Sequence, residues 1–103
     1  MKIIWTELAV EKLEEYADYI ALDKPVAALN WAESIQNSVI KLKKFSQIGR
    51  EVPEIKRADI RELIEGNYRI IYRIEENYIS ILTIRHSKQL LNKTDIFKKQ
   101  KAI

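Results

Sequence analysis

The chain has 103 residues, a length that fits one domain over residues 1–103 with one hydrophobic core. The absence of cysteine excludes disulfide bonds and thiolate chemistry, and a single histidine cannot build an ordinary zinc or iron site, so we expect neither a metal nor another cofactor. No apolar run reaches membrane-spanning length, and charges follow the N-terminal methionine too soon for a signal peptide, which predicts a cytoplasmic protein without a membrane partner.

The net charge of +3 is unevenly distributed along the chain. Residues 1–39 contain three Lys/Arg and seven Asp/Glu, a net charge of −4, whereas residues 40–103 contain fifteen Lys/Arg and eight Asp/Glu, a net charge of +7. A basic half favours an anionic partner, either nucleic acid or an acidic protein segment. A surface of mixed charges without any partner is the alternative.

The N-terminal part predicts a strand followed by a helical hairpin. Residues 2–5 form a short strand, and Thr6 suits the N-cap of an amphipathic helix over residues 7–21, which is acidic on its polar side. Pro25 suits the first position of a second amphipathic helix, for which Gly49 is a natural stop. Two such helices with a short link indicate an α-hairpin.

Residues 60–73, I-R-E-L-I-E-G-N-Y-R-I-I-Y-R, predict two strands joined by a tight turn. The turn falls at Gly66 and Asn67, which are residue types that tolerate positive φ. Alternation divides the second strand into two faces, with Tyr68, Ile70, Tyr72 and Ile74 on one and Arg69, Ile71 and Arg73 on the other. The first face is predicted to be core, and the second is predicted to be solvated by its arginines.

The remaining segments complete an α+β fold. Residues 46–58 predict a loop, and residues 78–86 predict a strand that is apolar on both faces and so lies inside the sheet. Residues 89–103 predict a basic C-terminal helix or tail, which includes Lys98 and Lys99. The element order is β-α-α-β-β-β, with the helical hairpin packed on a small, mostly antiparallel sheet.

The cations of the basic half could support catalysis or binding. A histidine near several arginines suits RNA cleavage, in which a base activates the 2′-hydroxyl and cations stabilise the phosphorane. The same groups could bind a nucleic-acid backbone or an acidic protein segment without chemistry. The candidate binding residues are Arg57, Arg61, Arg69, Arg73, Arg85, His86 and Lys88.

Several motifs together resemble the RelE/ParE superfamily, the toxins of bacterial type II toxin–antitoxin modules that are often labelled plasmid stabilisation proteins. They are W-T-x-x-A near the start, Y-I-A-L-D-K-P-V-A-A at the helical hairpin, R-E-L-I-E-G-N-Y-R-I-I-Y-R-I and I-L-T-I-R-H. The resemblance covers about residues 3–88 and implies the RelE/ParE-like fold. The helical-hairpin motif and the R-E-L-I pattern look closer to the ParE branch.

The resemblance implies one of two activities, and whether the protein is an enzyme stays open between them. ParE-like members poison DNA gyrase by binding, whereas RelE-like members cut messenger RNA on the ribosome. For the endoribonuclease alternative, the catalytic residues implied are Arg61, Arg69, His86 and Lys88. Such nucleases commonly use a tyrosine after the last strand, but the last tyrosine here, Tyr78, stands at the start of that strand and none follows it.

The missing tyrosine favours the ParE-like hypothesis, a toxin that inhibits DNA gyrase. The implied partners are gyrase and a cognate acidic antitoxin in a toxin–antitoxin hetero-oligomer, with the ribosome and mRNA replacing gyrase in the alternative. A third hypothesis is an inactive binding module with the toxin fold.

Overall fold

The computed structural model describes residues 1–97 and 101–102 and has the predicted α+β fold. The elements are β1 (Lys2–Trp5), α1 (Glu7–Ala21), α2 (Pro25–Ile40), a 3-10 turn (Lys41–Lys43), β2 (Arg50–Glu51), β3 (Ile60–Glu65), β4 (Tyr68–Ile74), β5 (Tyr78–His86) and α3 (Lys93–Phe97). No helix in the described part of the chain is long and apolar enough to cross a membrane.

The five strands form one mixed sheet in the order β1-β5-β4-β3-β2. β1 runs parallel to β5 and the other neighbours are antiparallel, so β5 lies inside the sheet as predicted. The prediction of an unbroken loop over residues 46–58 is wrong at Arg50 and Glu51, which pair with β3 as the edge strand β2. Two residues give no periodic signal, so only their pairing identifies this strand.

The helical hairpin begins as predicted but ends earlier. The Thr6 hydroxyl accepts a hydrogen bond from the Ala9 N–H at 3.2 Å, and Pro25 opens α2. Gly49 is not the helix stop, since α2 ends nine residues before it. The Gly49 N–H instead donates to the Tyr72 Oη at 3.0 Å, and an added Cβ would lie 2.6 Å from that oxygen. Glycine is therefore required there for close approach.

The turn between β3 and β4 uses one positive φ rather than two. Gly66 has a φ of +58°, whereas Asn67 has a negative φ. A positive φ at the first central position alone is typical of a type II′ turn, which matches the twist of a β-hairpin.

The sheet separates two apolar cores. The helix face of the sheet packs against α1 and α2, and this core contains Ala9, Ile35, Val39, Leu42, Ile70, Tyr72, Ile79, Ile81 and Ile84. The opposite side, called the second face from here on, carries a smaller core of Val52, Ile60, Ile71, Leu82 and Ile96. The prediction that Ile70 and Tyr72 are core is confirmed, but the prediction of a solvated second face is wrong, because loop and C-terminal residues cover it.

A β-bulge in β5 sets which side chains reach each face. Tyr72 pairs with Ile81 and Ile71 pairs with Thr83, so Leu82 is an extra residue that has no partner of its own. Beyond the bulge, His86 lies opposite Tyr68 on the helix face. Arg85 lies opposite Arg69 on the second face.

Candidate functional site

Arg69 lies at the centre of an ion cluster on the second face and is 6% exposed. Its Nε donates to the Oε1 of Glu62 at 2.7 Å. Its Nη2 and Nη1 donate to the two carboxylate oxygens of Glu54 at 2.7 and 2.9 Å. The Glu62 carboxylate, which is buried, also accepts from the Arg50 Nε at 2.6 Å. The cluster therefore holds two guanidinium groups and two carboxylates, and the Arg69 charge is already paired.

The electrostatics of this cluster follow from the two-point contact between Arg69 and Glu54. The hydrogen bonds from Arg69 lower the pKa of Glu54 from 4.5 to about 2, against the opposing effect of burial. The hydrogen bond to Glu54 in turn raises the pKa of Arg69, with Glu62 adding to the rise. Such bidentate, charge-assisted pairs are stronger than single contacts, so this cluster fixes the loop that carries Glu54 to the sheet.

Arg85 is directly opposite Arg69 in the ladder, and the C-terminal segment contacts both arginines. The Arg85 Nη2 donates to the Leu90 carbonyl at 3.2 Å, and the Arg69 Nη1 approaches the Gln89 carbonyl at 3.4 Å. Within the described residues, the Arg85 Nε is buried without a hydrogen-bond partner. Residues 89 and 90 thus form a cover over these two arginines.

Arg57 and Arg73 share one carboxylate at the edge of the second face. Asp59 accepts from the Arg57 Nε and Nη2 at 3.0 and 2.8 Å and from the Arg73 Nε at 3.3 Å. Burial acts to raise the pKa of Asp59, but the hydrogen bonds from the two arginines outweigh it and lower that pKa. The Arg57 guanidinium lies 5.6 Å from the centre of the Phe97 ring, a cation–π distance. Two guanidinium groups over one carboxylate leave this patch positive.

Arg61 has a structural role in the loop that precedes β3. Its Nε donates to the Ala58 carbonyl at 2.9 Å, and its Nη1 donates to the Gly49 carbonyl at 2.9 Å. The side chain therefore joins the two ends of the segment that contains β2. The Nε and Nη1 of Arg61 therefore already have hydrogen-bond acceptors within the folded chain.

His86 lies on the helix face rather than the second face, and Lys88 lies in the turn that follows β5. The His86 ring is 5.4 Å from the Tyr68 ring in an edge-to-face arrangement, and its Nδ1 accepts from the Lys88 N–H at 3.3 Å. The Lys88 side chain is exposed. The sheet thus separates His86 from Arg69, so the four residues suggested for catalysis do not surround one point.

The C-terminal segment is partly helical, as predicted, but its helix is short. α3 contains only the five residues Lys93–Phe97, and Ile96 is buried in the second core. The Lys101 carbonyl accepts from the Glu7 N–H at 2.7 Å, which ties this segment to the start of α1. Lys98 and Lys99 lie outside the described residues.

The residues predicted from the sequence do not include the carboxylates that pair with the arginines, which are Glu54, Asp59 and Glu62. Glu62 could have been found, because alternation along β3 and the hairpin register place it beside Arg69. Glu54 and Asp59 lie in irregular segments, where no periodicity gives the side-chain direction. Among residues 1–97 and 101–102, no three His, Asp or Glu side chains come together as a metal site.

A family model and a curated relative match most of the chain. Residues 3–91 match the model of the family described as ParE toxin of type II toxin-antitoxin system, parDE. A curated relative from Sinorhizobium fredii (strain NBRC 101917 / NGR234), named "Putative toxin Y4kP", is 34% identical over 88 residues, which cover 85% of this chain and 90% of the relative.

A solved structure gives the same fold. A chain of the "Chromosomal ParDE TA system from P. aeruginosa" is similar with a TM-score of 0.73 and 24% sequence identity. The match covers 85% of the present chain and 97% of the solved one. At 24% identity, the similarity to this structure supports only a shared fold. The assignment to a family rests on the family model and on the curated relative.

Proposed function

Because the chain belongs to the ParE toxin family of type II toxin–antitoxin systems, we propose that it inhibits DNA gyrase by binding to it. A cognate acidic antitoxin neutralises it by forming a toxin–antitoxin hetero-oligomer. The site of action is the cytoplasm, where gyrase and its DNA are found. In this proposal the protein is a non-enzymatic inhibitor and uses no cofactor.

The observation that carries the choice against RNA cleavage is the separation of Arg69 from His86 by the sheet. Cleavage requires a base, an acid and cations within hydrogen-bond reach of one phosphate. The Arg69 guanidinium is paired with Glu54 and Glu62, and the Arg61 guanidinium donates to backbone carbonyls. Binding to gyrase needs only a complementary surface, so it does not require these groups to converge.

We assign the gyrase contact to the positive patch formed by Arg57, Arg73 and Phe97. The side chains of Arg57 and Arg73 are 43% and 30% exposed, and Phe97 is 47% exposed. An aromatic ring beside partly exposed guanidinium groups is typical of the residues that dominate protein interfaces. The patch also adjoins α3, at the C-terminal end of the chain.

The gyrase proposal is tested with purified protein, gyrase and supercoiled plasmid. We expect protein-linked broken DNA after denaturation and proteolysis, and no cleavage of mRNA on programmed ribosomes. Arg57→Ala combined with Arg73→Ala should reduce the broken DNA, whereas Lys24→Ala, which removes an exposed charge from the helical hairpin, should not. Thermal melts of each variant establish that it remains folded.

The opposite pattern would contradict the proposal. Cleavage of mRNA by the parent protein, its loss in His86→Ala and intact gyrase would favour the endoribonuclease hypothesis. A folded parent protein without effect on either target would favour the inactive binding module.

The antitoxin part is tested separately by calorimetry. The product of the neighbouring gene, if it is a small acidic protein, should bind at micromolar concentration or tighter. Its affinity should fall as salt rises, because added ions screen the attraction between exposed charges. Absence of heat at micromolar concentration would contradict this part without affecting the gyrase result.

A further inference from the structure

An aromatic recess of about 320 Å³ lies on the helix side of the molecule, away from the positive patch. It is formed by α1, the start of β4, and the end of β5 with the residues that follow. Its lining residues are Glu15, Tyr16, Tyr19, Tyr68, His86 and Gln89. Neither the gyrase contact nor the ion cluster on the second face uses this recess.

The walls of the aromatic recess are held by ring packing. The centre of the Tyr68 ring lies 5.1 Å from that of Tyr16 and 4.9 Å from that of Trp31, and Tyr16 and Tyr68 meet edge to face. The His86 ring meets Tyr68 edge to face at 5.4 Å. Each ring therefore restricts the rotamers of its neighbours, and the recess keeps its shape without a ligand.

The polar atoms around the aromatic recess include several acceptors. The Tyr16 hydroxyl donates to the Gln89 Oε1 at 3.0 Å, and among the described residues no donor hydrogen-bonds to the phenol oxygen. The Glu15 side chain is 63% exposed, and Lys12 contacts only its Oε2, at 3.2 Å. In the described part of the chain no side chain or backbone N–H donates to its Oε1.

The residues that α1 supplies to the aromatic recess belong to the acidic part of the chain, whereas Tyr68, His86 and Gln89 belong to the basic part. Residues 1–39, which supply Glu15, Tyr16 and Tyr19, have a net charge of −4. Burial raises the pKa of Tyr68, and the nearby phenols of Tyr16 and Tyr19 raise it further. The Tyr68 phenol therefore stays neutral over a wider pH range and does not compete with Glu15 for a cation.

We propose that the aromatic recess binds a guanidinium group, presented by an arginine of a protein partner. Aromatic faces attract cations, and a planar guanidinium can stack on a phenol ring while it donates to a carboxylate. Glu15 and the Tyr16 hydroxyl supply acceptors at the rim. A lysine ammonium would lack the stacking contact, and a nucleotide would bring its phosphate towards Glu15. This proposal does not depend on gyrase inhibition.

The test is NMR of the full chain with its tyrosine rings labelled, titrated with Nα-acetyl-arginine amide. The chain has five tyrosines. We expect saturable shifts at Tyr16, Tyr19 and Tyr68 in the millimolar range, with Tyr72 and Tyr78 unchanged. Nα-acetyl-lysine amide and adenosine monophosphate serve as comparison probes, and each should bind more weakly than the arginine derivative.

Two variants, one of them with a matched control, test the location of the site. Tyr19 is 72% exposed, so Tyr19→Ala should keep the fold and weaken arginine binding about two- to fivefold, the size of an exposed cation–π contact. Glu15→Gln should weaken it by a similar factor, while Glu14→Gln on the same helix should not. No saturable shift, equal binding of the lysine probe, stronger binding of the nucleotide, or insensitivity to both variants would overturn the proposal.

Discussion

Both faces of β4 bury side chains, but different kinds of segment cover the two faces. On the helix face, Ile70 and Tyr72 pack under two long amphipathic helices, which supply a continuous apolar surface. On the second face, Arg69 and Ile71 lie under the loop before β3 and the segment after β5, which are mostly irregular. Irregular segments can bring carboxylates to the sheet, so a charged residue can be buried there. The cover, and not the strand alone, decides how polar a buried face can be.

The polar groups on the two faces are satisfied by different partners. The Tyr72 hydroxyl donates to the Ser46 carbonyl at 2.9 Å and accepts from the Gly49 N–H, so backbone groups satisfy it. The Arg69 guanidinium is satisfied chiefly by carboxylates. Burial of a neutral hydroxyl with backbone partners costs little free energy, whereas burial of a charge without its partner costs much more.

The largest effect is expected from Arg69→Ala on the second face. Removing one partner of a buried ion cluster leaves the others uncompensated, a loss of about 3–5 kcal/mol of unfolding free energy. Arg50 continues to pair with Glu62, so we expect a loss at the lower end of this range, about 3 kcal/mol. The matched control is Arg73→Ala, which should cost less than about 1 kcal/mol because Arg73 is partly exposed. Urea unfolding measures both, and equal small losses would show that the cluster contributes little.

A smaller effect is expected from Tyr72→Phe on the helix face. The change removes the acceptor of the Gly49 N–H and leaves that buried donor unsatisfied, which costs about 1–3 kcal/mol. Tyr78→Phe removes a hydroxyl from a more exposed ring and should stay within about 0.5 kcal/mol. Thermal melts at one pH compare the pair. If Tyr72→Phe left the melting temperature unchanged, the expectation would be wrong, and a water molecule would have to replace the hydroxyl as acceptor.

The last comparison is an acid dependence that belongs to the second face. The pKa of Glu54 falls from 4.5 to about 2 on folding, so its stabilising contribution is complete above the higher value and is lost as pH falls towards 2. Glu54→Gln should therefore flatten the decline of stability between these pH values. Glu76→Gln, in the exposed turn after β4, should keep the decline of the parent protein. Unfolding by urea across this pH range is the measurement, and parallel curves for the parent and Glu54→Gln would contradict the expectation.

The sequence predicted the helix face better than the second face for a physical reason. Period-two alternation in β4 gives the side of each residue, so Ile70 and Tyr72 were correctly placed in the core. The same alternation says nothing about what covers the other side. Arg69 was expected in solvent because its partner Glu54 lies fifteen residues earlier, in a segment without periodicity. Its burial could not be inferred from local pattern.

The helices were predictable from capping and spacing, but short features were not. Thr6 and Pro25 mark helix starts through local chemistry, and both helices begin where the sequence predicts. β2 exists only through its pairing with β3, and the role of Gly49 depends on Tyr72, which is distant in sequence. Similarly, the sequence lists the basic side chains but does not show that Arg69 is already paired with Glu54 and Glu62.

The bulge at Leu82 makes the placement of side chains at the β5 end depend on whether the bulge forms. If the same residues paired without a bulge, Arg85 would lie opposite Tyr68 in the position that His86 holds. A relative of the same length that lacks the bulge would therefore present an arginine to the aromatic recess and a different residue to the second face. An alignment that matches I-R-H column by column would assign such a relative the wrong residue on each face. Transfer of residue roles within the family should therefore follow the strand register rather than the aligned letters.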